Sequence, residues 1–331
     1  MDCLRRGGSA HLGAGAWPGS QRILVLPRSH TLSTLIANSP RLAKPCARAQ
    51  TRLEEGSLPE LVPFPDDFPQ AIQLAQASTL QALSDGIKLI EVEFPSASLL
   101  AVAGDAEGAN EMTYSSRHLR QFCRAFHDGA AKTRIFFPDK EELRVAKQGK
   151  GMDPNAGAWD IDPIWDQTAF SLDYLTEPSG LLDLGINLNR FDPSAHLEPS
   201  DELIIAAYPH FDPREMEAVH MVWQNAAKQR GIPMILFNAE LDRLRGGYYP
   251  ALFYPQMAKL SKEFIPLVES TFYLHNFKGS GGGALFRVYP GPWQVLLRTA
   301  VGMKAVHTQH ERPTLRQVAL DILPACIRAM R

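Results

Sequence analysis

The sequence predicts an open, mainly parallel, Rossmann-like α/β sheet with flanking helices and a C-terminal antiparallel extension. Leu203–Ala207 and Met234–Phe237 are apolar runs without a polar residue, as in strands that are buried on both faces. Between them, Asp212 suits an N-cap, Pro213 suits the first helical turn and Gly231 suits a helix end. Two buried strands joined by one helix lie parallel, with a right-handed crossover.

The first helix and the first strand are predicted upstream of this unit. Asp67 begins a capping-box pattern, and Gly86 ends the helix. In the strand Ile87–Phe94, Glu91 and Glu93 share one face. Paired carboxylates can perform acid–base chemistry. Because no histidine or cysteine lies nearby in the sequence, we favour a solvated face or ion pairs with a covering helix.

A helix, a strand and a second helix are predicted next. Ser115 or Ser116 can cap the first of these helices, and Gly129 ends it. Arg134–Phe137 follows as a strand. Asp139 then suits the N-cap of a charged helix that extends to about residue 147. We prefer this capping role for Asp139 to a catalytic role.

Residues 148–165 predict a long irregular connection that contains Trp159 and Trp165. Such connections are often functional or mobile. Two further strands are predicted in Ala169–Leu175 and Leu181–Asn187. They belong either to the main sheet or to an edge hairpin.

The carboxyl ends of the two central strands supply a candidate ligand site. Open α/β sheets bind ligands beyond these ends, where the strand order reverses. The residues found there are Tyr208, His210 and Asn238. His210 could be a general base, although a single loop histidine without a paired nucleophile is more typical of a protein surface. Arg243 and Arg245 precede two glycines and could either bind an anion or belong to a solvated turn.

The C-terminal third predicts a helix within about residues 255–267, then strands and a last helix capped by Thr314. Thr271–Phe277 and Ala284–Tyr289 flank the sequence KGSGGG, whose lysine precedes the glycines. A Walker motif has the opposite order at a helix start, so a hairpin connection is the better interpretation. Residues 294–299 and 303–308 predict a closing antiparallel pair.

The sequence YPGPW, residues 289–293, predicts a stiff turn. Two prolines fix their φ angles, and Gly291 permits a sharp reversal. Trp293 is either an exposed anchor for a partner or a buried plug at the sheet edge. We favour the buried position, because Pro-Gly-Pro turns often only shape a fold.

Charge is unevenly distributed along the 331 residues. Residues 1–50 carry a net charge of +6 and are rich in Ser, Ala, Gly and Pro, whereas the rest carries −8. This composition is typical of an organelle transit peptide, and the alternative is a disordered tail without a targeting role. We therefore expect a disordered organelle transit peptide over residues 1–50, a linker over 51–64 and a single α/β domain over 65–331.

Several classes of protein do not fit this composition. The acidic part after residue 50 lacks the basic surface of a nucleic-acid-binding protein. No apolar run approaches the roughly 18 residues of a membrane span, so we expect at most peripheral membrane association. Cys123 and Cys326 lack metal-ligand spacing and are expected in the core. We assign no cofactor, no metal ligand and no catalytic residue.

Four stretches resemble a family of plant, green algal and cyanobacterial proteins whose shared domain has no assigned function. They are PFPDDFPQAIQLAQASTLQALSDGIKLIEVEFP, RIFFPD, ILFN and LFRVYPGPWQVL, within about residues 60–325. The family includes the chloroplast low-photosystem-II-accumulation proteins. Its motif positions match Glu93, Pro95, Pro138, Asp139, Asn238, Arg287, Tyr289, Pro290, Gly291 and Trp293.

The resemblance implies a chloroplast protein, in the stroma or at the stromal face of the thylakoid, and so a chloroplast transit peptide over residues 1–50. Some family members assist the assembly of photosystem II, particularly of its chlorophyll-binding inner-antenna subunit. In some plant members a similar domain is joined to an adenylate kinase, whose Walker motif this chain lacks.

Two functions are open at this point. The first is a non-enzymatic photosystem II assembly or biogenesis factor that binds thylakoid or photosystem II proteins through an exposed aromatic patch. The second is a small-molecule or nucleotide-binding protein, enzymes included, with its site at the carboxyl ends of the parallel strands. The candidate binding residues are Glu93, Asp139, Tyr208, His210, Asn238, Arg243, Arg245, Arg287, Tyr289 and Trp293.

Overall fold

The computed structural model describes residues 61–95, 98–102, 109–148, 169–177, 191–278 and 282–330. These residues contain nine strands that form one open sheet. The strands are β1 (Leu89–Glu93), β2 (Thr133–Asp139), β3 (Ser171–Thr176), β4 (Leu203–Ala207), β5 (Met234–Phe237), β6 (Glu269–Asn276), β7 (Gly283–Val288), β8 (Trp293–Thr299) and β9 (Gly302–Gln309). Their spatial order is β3-β2-β4-β5-β1-β6-β7-β8-β9.

The sheet is parallel from β3 to β6 in this order and antiparallel from β6 to β9. The predicted fold class is therefore confirmed. As predicted, β4 and β5 are adjacent and parallel, with Ile204 opposite Met234.

Helices cover both faces of this sheet. They are α1 (Phe68–Ser84), α2 (Ala109–Cys123), α3 (Lys140–Gln148), α4 (Pro213–Val222, a π-helical turn Trp223–Ala227, and Lys228–Arg230), α5 (Asp242–Arg245), α6 (Pro255–Glu263) and α7 (Leu315–Gln317, a π-helical turn Val318–Ile322, and Leu323–Ala329). Short 3-10 helices lie at Arg124–Lys132, Pro193–His196 and Ile265–Leu267. Within the described residues, no helix is both long enough and apolar enough to cross a bilayer.

Alternate residues of the central strands face two separate cores. Ile90 of β1 and Ile235 of β5 pack with α1, α2 and α3 on one face. Leu89 and Leu236 pack with α4, α5 and α6 on the other face. A third core lies between α7 and strands β6 to β8. This arrangement explains why the central strands are apolar at nearly every position.

Several helix ends follow the predicted local signals. Asp212 accepts a hydrogen bond from the Arg214 backbone N–H at 2.8 Å and caps α4. Gly231 ends that helix with φ of +68°, and Asp139 accepts from the Glu142 N–H at 2.8 Å at the start of α3. These interactions join residues at most three positions apart, so the sequence contains all the information that they require.

The start of α2 was predicted wrongly. The helix begins at Ala109, and Ser115 and Ser116 are buried within it. Ser115 lies six residues inside the helix and so cannot cap it, and its hydroxyl accepts a hydrogen bond from Asn238 Nδ2 at 3.0 Å. Gly129 does not end the helical conformation either, since it lies within a 3-10 helix that continues to Lys132.

The edge of the parallel region is formed by β3. It pairs with β2 in parallel, so the predicted strand Ala169–Leu175 belongs to the main sheet and not to a hairpin. The predictions for residues 1–50, the Trp159/Trp165 connection, Leu181–Asn187 and the glycines at 279–281 concern residues outside those described.

The YPGPW turn places Trp293 inside the protein. The Trp293 side chain is 2 % exposed and packs edge-on against Tyr273, with the ring centroids 5.3 Å apart. The guanidinium groups of Arg287 and Arg312 lie 5.2 and 4.6 Å from the centroid of its ring. Trp293 is therefore the buried plug that the sequence favoured, and the exposed-anchor alternative is wrong.

We predict that Trp293→Ala destabilises the protein. The substitution leaves a cavity in the third core and removes two cation–π contacts, so the free energy of unfolding should fall by about 3–5 kcal/mol. Urea unfolding followed by circular dichroism measures this change. Phe253→Ala is the matched control, because Phe253 is 74 % exposed and its removal should cost under about 0.5 kcal/mol. Equal stability of the two variants would contradict the buried role.

Candidate functional site

Two crevice positions lie at the carboxyl edge of the parallel strands. The chain leaves β1 and β2 toward the face of α2 and α3, but leaves β4 and β5 toward the face of α4, α5 and α6. Neighbouring strands whose connections leave toward opposite faces open a crevice between them. In this sheet such neighbours are β2 with β4, and β5 with β1.

Asn238 joins the two strands at the β5–β1 position. Its Oδ1 accepts from the Phe94 N–H at 2.9 Å, while its Nδ2 donates to Ser115. Beside it, Glu93 accepts from the Glu240 N–H at 3.2 Å. Burial, followed by the nearby carboxylates, raises the pKa of Glu93 well above its usual range. A neutral Glu93 can both donate and accept hydrogen bonds at this edge.

A second group of carboxyls lies at the β2–β4 position. Burial and the charge of Asp139 raise the pKa of Glu142 to about 7, against the effect of a hydrogen bond from Tyr208. Burial also raises the pKa of Glu215 to about 8, although Glu215 accepts from the Phe211 N–H at 3.1 Å. Carboxyls with pKa values near neutrality suit proton transfer.

His210 is buried at this edge, with 5 % of its surface exposed, so the expected surface position is wrong. Burial and the charge of Arg243 lower its pKa to about 3, which makes the imidazole neutral at physiological pH. Its Nδ1 lies 3.7 Å from Glu240 Oε1, and its carbonyl accepts from Arg243 Nη1 at 2.9 Å. The backbone contact with Arg243 holds the histidine loop in place.

Three residues at this edge have left-handed backbone conformations. Tyr208, Asn238 and Glu240 have φ angles of +36°, +48° and +45°. Such conformations are uncommon for residues other than glycine and often mark functional sites. All three follow β4 or β5, so the strain is concentrated beside the carboxyls described above.

The central charged network surrounds Glu91, in the middle of β1. Its side chain is fully buried. Arg245 Nη1 and Nη2 donate to the two carboxylate oxygens at 2.7 and 2.9 Å, and Arg312 Nη1 donates at 3.0 Å. The Ser270 hydroxyl is a further donor. Burial raises the pKa of Glu91, but the two arginine charges and the hydrogen bonds outweigh it and lower the pKa to about 2.

This geometry decides between the sequence-based alternatives for Glu91, Arg243 and Arg245. Glu91 forms ion pairs and is not part of a solvated face. Arg243 and Arg245 lie on helix α5 and not in a solvated turn. Arg243 contacts the His210 carbonyl, whereas Arg245 contacts Glu91.

Two other predicted site residues, Arg287 and Tyr289, lie in β7 and at the start of the YPGPW turn. Arg287 pairs with Glu269 at 2.7 Å and donates to the Gly291 carbonyl at 3.2 Å. Tyr289 donates through its hydroxyl to Asp85 at 2.9 Å. The candidate residues therefore divide between the carboxyl edge, the Glu91 network and the surroundings of Trp293.

The sequence did not indicate several members of these sites. Arg312 binds Asp242 through two contacts of 2.8 Å, and Tyr273 also donates to Asp242. Arg312 lies 221 residues from Glu91, and no local pattern marks it. Glu142 and Glu215 looked like ordinary first-turn acids of helices. Within the described part of the chain, no group of three His, Cys, Asp or Glu side chains could hold a metal ion.

We predict that Glu215 makes stability decrease as the pH rises. The folded carboxyl keeps its proton to about pH 8, whereas the unfolded one loses it near pH 4.5. The folded state binds more protons between these values, so the free energy of unfolding falls by about 1.4 kcal/mol per pH unit within this window. Glu215→Gln keeps an acceptor for Phe211 and should remove this slope.

Urea unfolding across the pH range measures the difference between Glu215→Gln and the wild type. Glu263→Gln, at an exposed glutamate, is the control and should leave the pH profile unchanged. A wild-type profile parallel to that of Glu215→Gln would refute the assigned protonation.

We predict that Glu91→Gln destabilises the protein at neutral pH. The substitution leaves Arg245 and Arg312 without their shared anion, and breaking a buried ion pair costs about 3–5 kcal/mol. Lys132→Gln is the control, since it breaks an exposed pair with Glu202 worth under about 1 kcal/mol. Calorimetric unfolding of both variants tests the difference, and a wild-type melting temperature for Glu91→Gln would be the contrary result.

Comparison with known proteins places this geometry in a family. No curated protein and no solved structure matches the chain. The sequence profile of a domain of unknown function, DUF1995, matches residues 65–320 and so includes the carboxyl edge, the Glu91 network and the YPGPW turn. Because this match spans most of the chain, the protein belongs to the DUF1995 family.

Proposed function

We propose that the protein is a non-enzymatic auxiliary protein that binds apolar segments of photosystem II proteins during their assembly in the chloroplast. The observation that carries the proposal is an exposed aromatic surface between α5 and α6. We call it the 248–254 surface. It comprises Tyr248, Leu252, Phe253 and Tyr254, whose exposed fractions are 69, 85, 74 and 42 %.

The 248–254 surface is unusual in being both apolar and continuous along the chain. Contiguous exposed apolar groups mark interaction sites, whereas single exposed apolar residues are normal. The sequence from Gly246 to Ala258 contains no charged residue. Aromatic enrichment and depletion of charge are typical of the centre of a protein–protein interface.

The loop that carries this surface is held in a defined conformation. The backbone N–H groups of Phe253 and Tyr254 donate to the Pro250 carbonyl at 3.0 and 2.9 Å. The Tyr249 ring packs against the second core and contacts Tyr248 and Tyr254, at centroid distances of 5.1 and 5.3 Å. A loop that is already ordered loses less conformational entropy when it binds.

An apolar partner fits this uncharged surface better than a charged one. Subunits of a membrane complex expose apolar segments before they are assembled, and such segments need a partner that shields them from water. The motif resemblance to chloroplast photosystem II assembly proteins supports this class of partner, and supports a location in the stroma or at the stromal face of the thylakoid. The carboxyl edge and the Glu91 network then maintain the scaffold that carries the surface.

The double variant Leu252→Ser/Phe253→Ser tests the proposal. We expect tagged wild-type protein to recover photosystem II subunits from solubilised thylakoids, and the double variant to recover at least tenfold less. Both residues are highly exposed, so folding stability should change by under about 1 kcal/mol. The matched control is Val301→Ser, an apolar residue that is 98 % exposed in the β8–β9 turn.

Two results would count against the proposal. Equal recovery by the double variant would show that the 248–254 surface does not bind the partner. If the wild-type protein recovers no photosystem II subunit at all, the proposed partner class is wrong.

A further inference from the structure

A pocket of about 440 Å³ lies near the amino end of β6, away from the carboxyl edge. Its polar lining consists largely of hydrogen-bond donors, namely Arg245, Arg287, Arg312, Ser261, Ser270 and His310. Trp293, Ile265 and Pro266 supply apolar walls. Pockets of this volume that combine apolar walls with a few converging polar groups are typical of small-molecule sites.

The charges that line this pocket are mostly positive. Glu91 neutralises Arg245 and Arg312 from behind, but its own side chain is fully buried and does not line the pocket. Among the described residues that line the pocket, the only carboxylate is Glu269, whose side chain is 34 % exposed. The lining therefore combines three guanidinium groups with one carboxylate.

Arg287 has the contacts of a residue that can bind a further anion. Its Nε donates to the Gly291 carbonyl, and its Nη2 lies 2.7 Å from Glu269. These two contacts engage Nε and Nη2, out of the five N–H donors of a guanidinium group. The packing of both Arg287 and Arg312 on the Trp293 ring fixes the two guanidinium groups around one aromatic wall. Preordered guanidinium groups bind carboxylate and phosphate oxygens with strong, charge-assisted hydrogen bonds.

We propose that this pocket binds a small organic anion. Its carboxylate or phosphate group would contact Arg287 and Arg312, and its body would lie against Pro266 and Val268, the more exposed apolar residues of the lining. The alternative is that the arginines serve only to neutralise Glu91, Asp242 and Glu269. The two possibilities predict opposite effects of removing Glu269, because Glu269 competes with an anionic ligand for Arg287.

Isothermal titration calorimetry with the full chain tests the proposal. The probes are inorganic phosphate, glucose 6-phosphate and citrate, with uncharged glucose as the control ligand. We expect saturable binding of at least one anion at concentrations up to about 10 mM, and no binding of glucose. Preference for glucose 6-phosphate or for citrate identifies the head group as phosphate or carboxylate.

Two variants of one ion pair give the decisive comparison. Arg287→Gln should weaken anion binding at least tenfold, whereas Glu269→Gln should tighten it at least threefold. A merely structural pair would not produce a gain of affinity in one of the two variants. Should Arg287→Gln fail to fold, the gain or its absence in Glu269→Gln still decides the question.

The proposal is overturned if no anion binds the wild-type protein, or if Glu269→Gln binds no more tightly than the wild type. Unchanged affinity in a folded Arg287→Gln protein would overturn it as well. The Leu252→Ser/Phe253→Ser variant should retain full anion binding, since its substitutions lie outside the pocket lining. The pocket and the 248–254 surface can therefore be tested independently.

Discussion

The fold depends on one constraint, the neutralisation of a charge in the middle of its sheet. Glu91 has no exposed surface, and taking a carboxylate out of water costs several kcal/mol unless counter-charges and donors surround it. Arg245 from α5, Arg312 from the segment before α7 and Ser270 from β6 supply them. The buried charge therefore links the parallel half of the sheet to the segment that follows the antiparallel extension.

Helix α5 connects this network to the rest of the candidate sites, although it has only four residues. Arg245 reaches down to Glu91, while Arg243 binds the carbonyl of His210 at the carboxyl edge. The Arg243 guanidinium also lies 5.9 Å from the ring of Tyr248, the first residue of the 248–254 surface. The two arginines of α5 thus contact the Glu91 network, the strained carboxyl edge and the exposed aromatic loop.

The sequence predicted the structural features that depend on contacts between residues close together in the chain. The β4–α4–β5 unit, its Asp212 cap and the capping box at Thr314 follow from short-range patterns, and the structure contains each of them. The burial of His210 and the partners of Arg312 arise from contacts between segments that lie far apart in the chain. No local sequence pattern encodes such contacts. Side chains such as His210 and Glu91 were therefore compatible with exposure to solvent in the sequence, although the fold buries them. The 248–254 surface escaped notice because its aromatic residues lie in a loop with no helical or strand periodicity.

The strand order has a consequence for the way the protein acquires its structure. The β1 strand is the first strand along the chain, yet its two neighbours in the sheet, β5 and β6, come much later. The hydrogen bonds from the Phe94 N–H to Asn238 and from the Thr271 hydroxyl to the Glu91 carbonyl span 144 and 180 residues. Such distant pairings slow folding, because loop closure is costly before the contacts form. The β1 strand therefore has no partner in the sheet until the chain has been made as far as β5 and β6, and its apolar residues are open to aggregation until then.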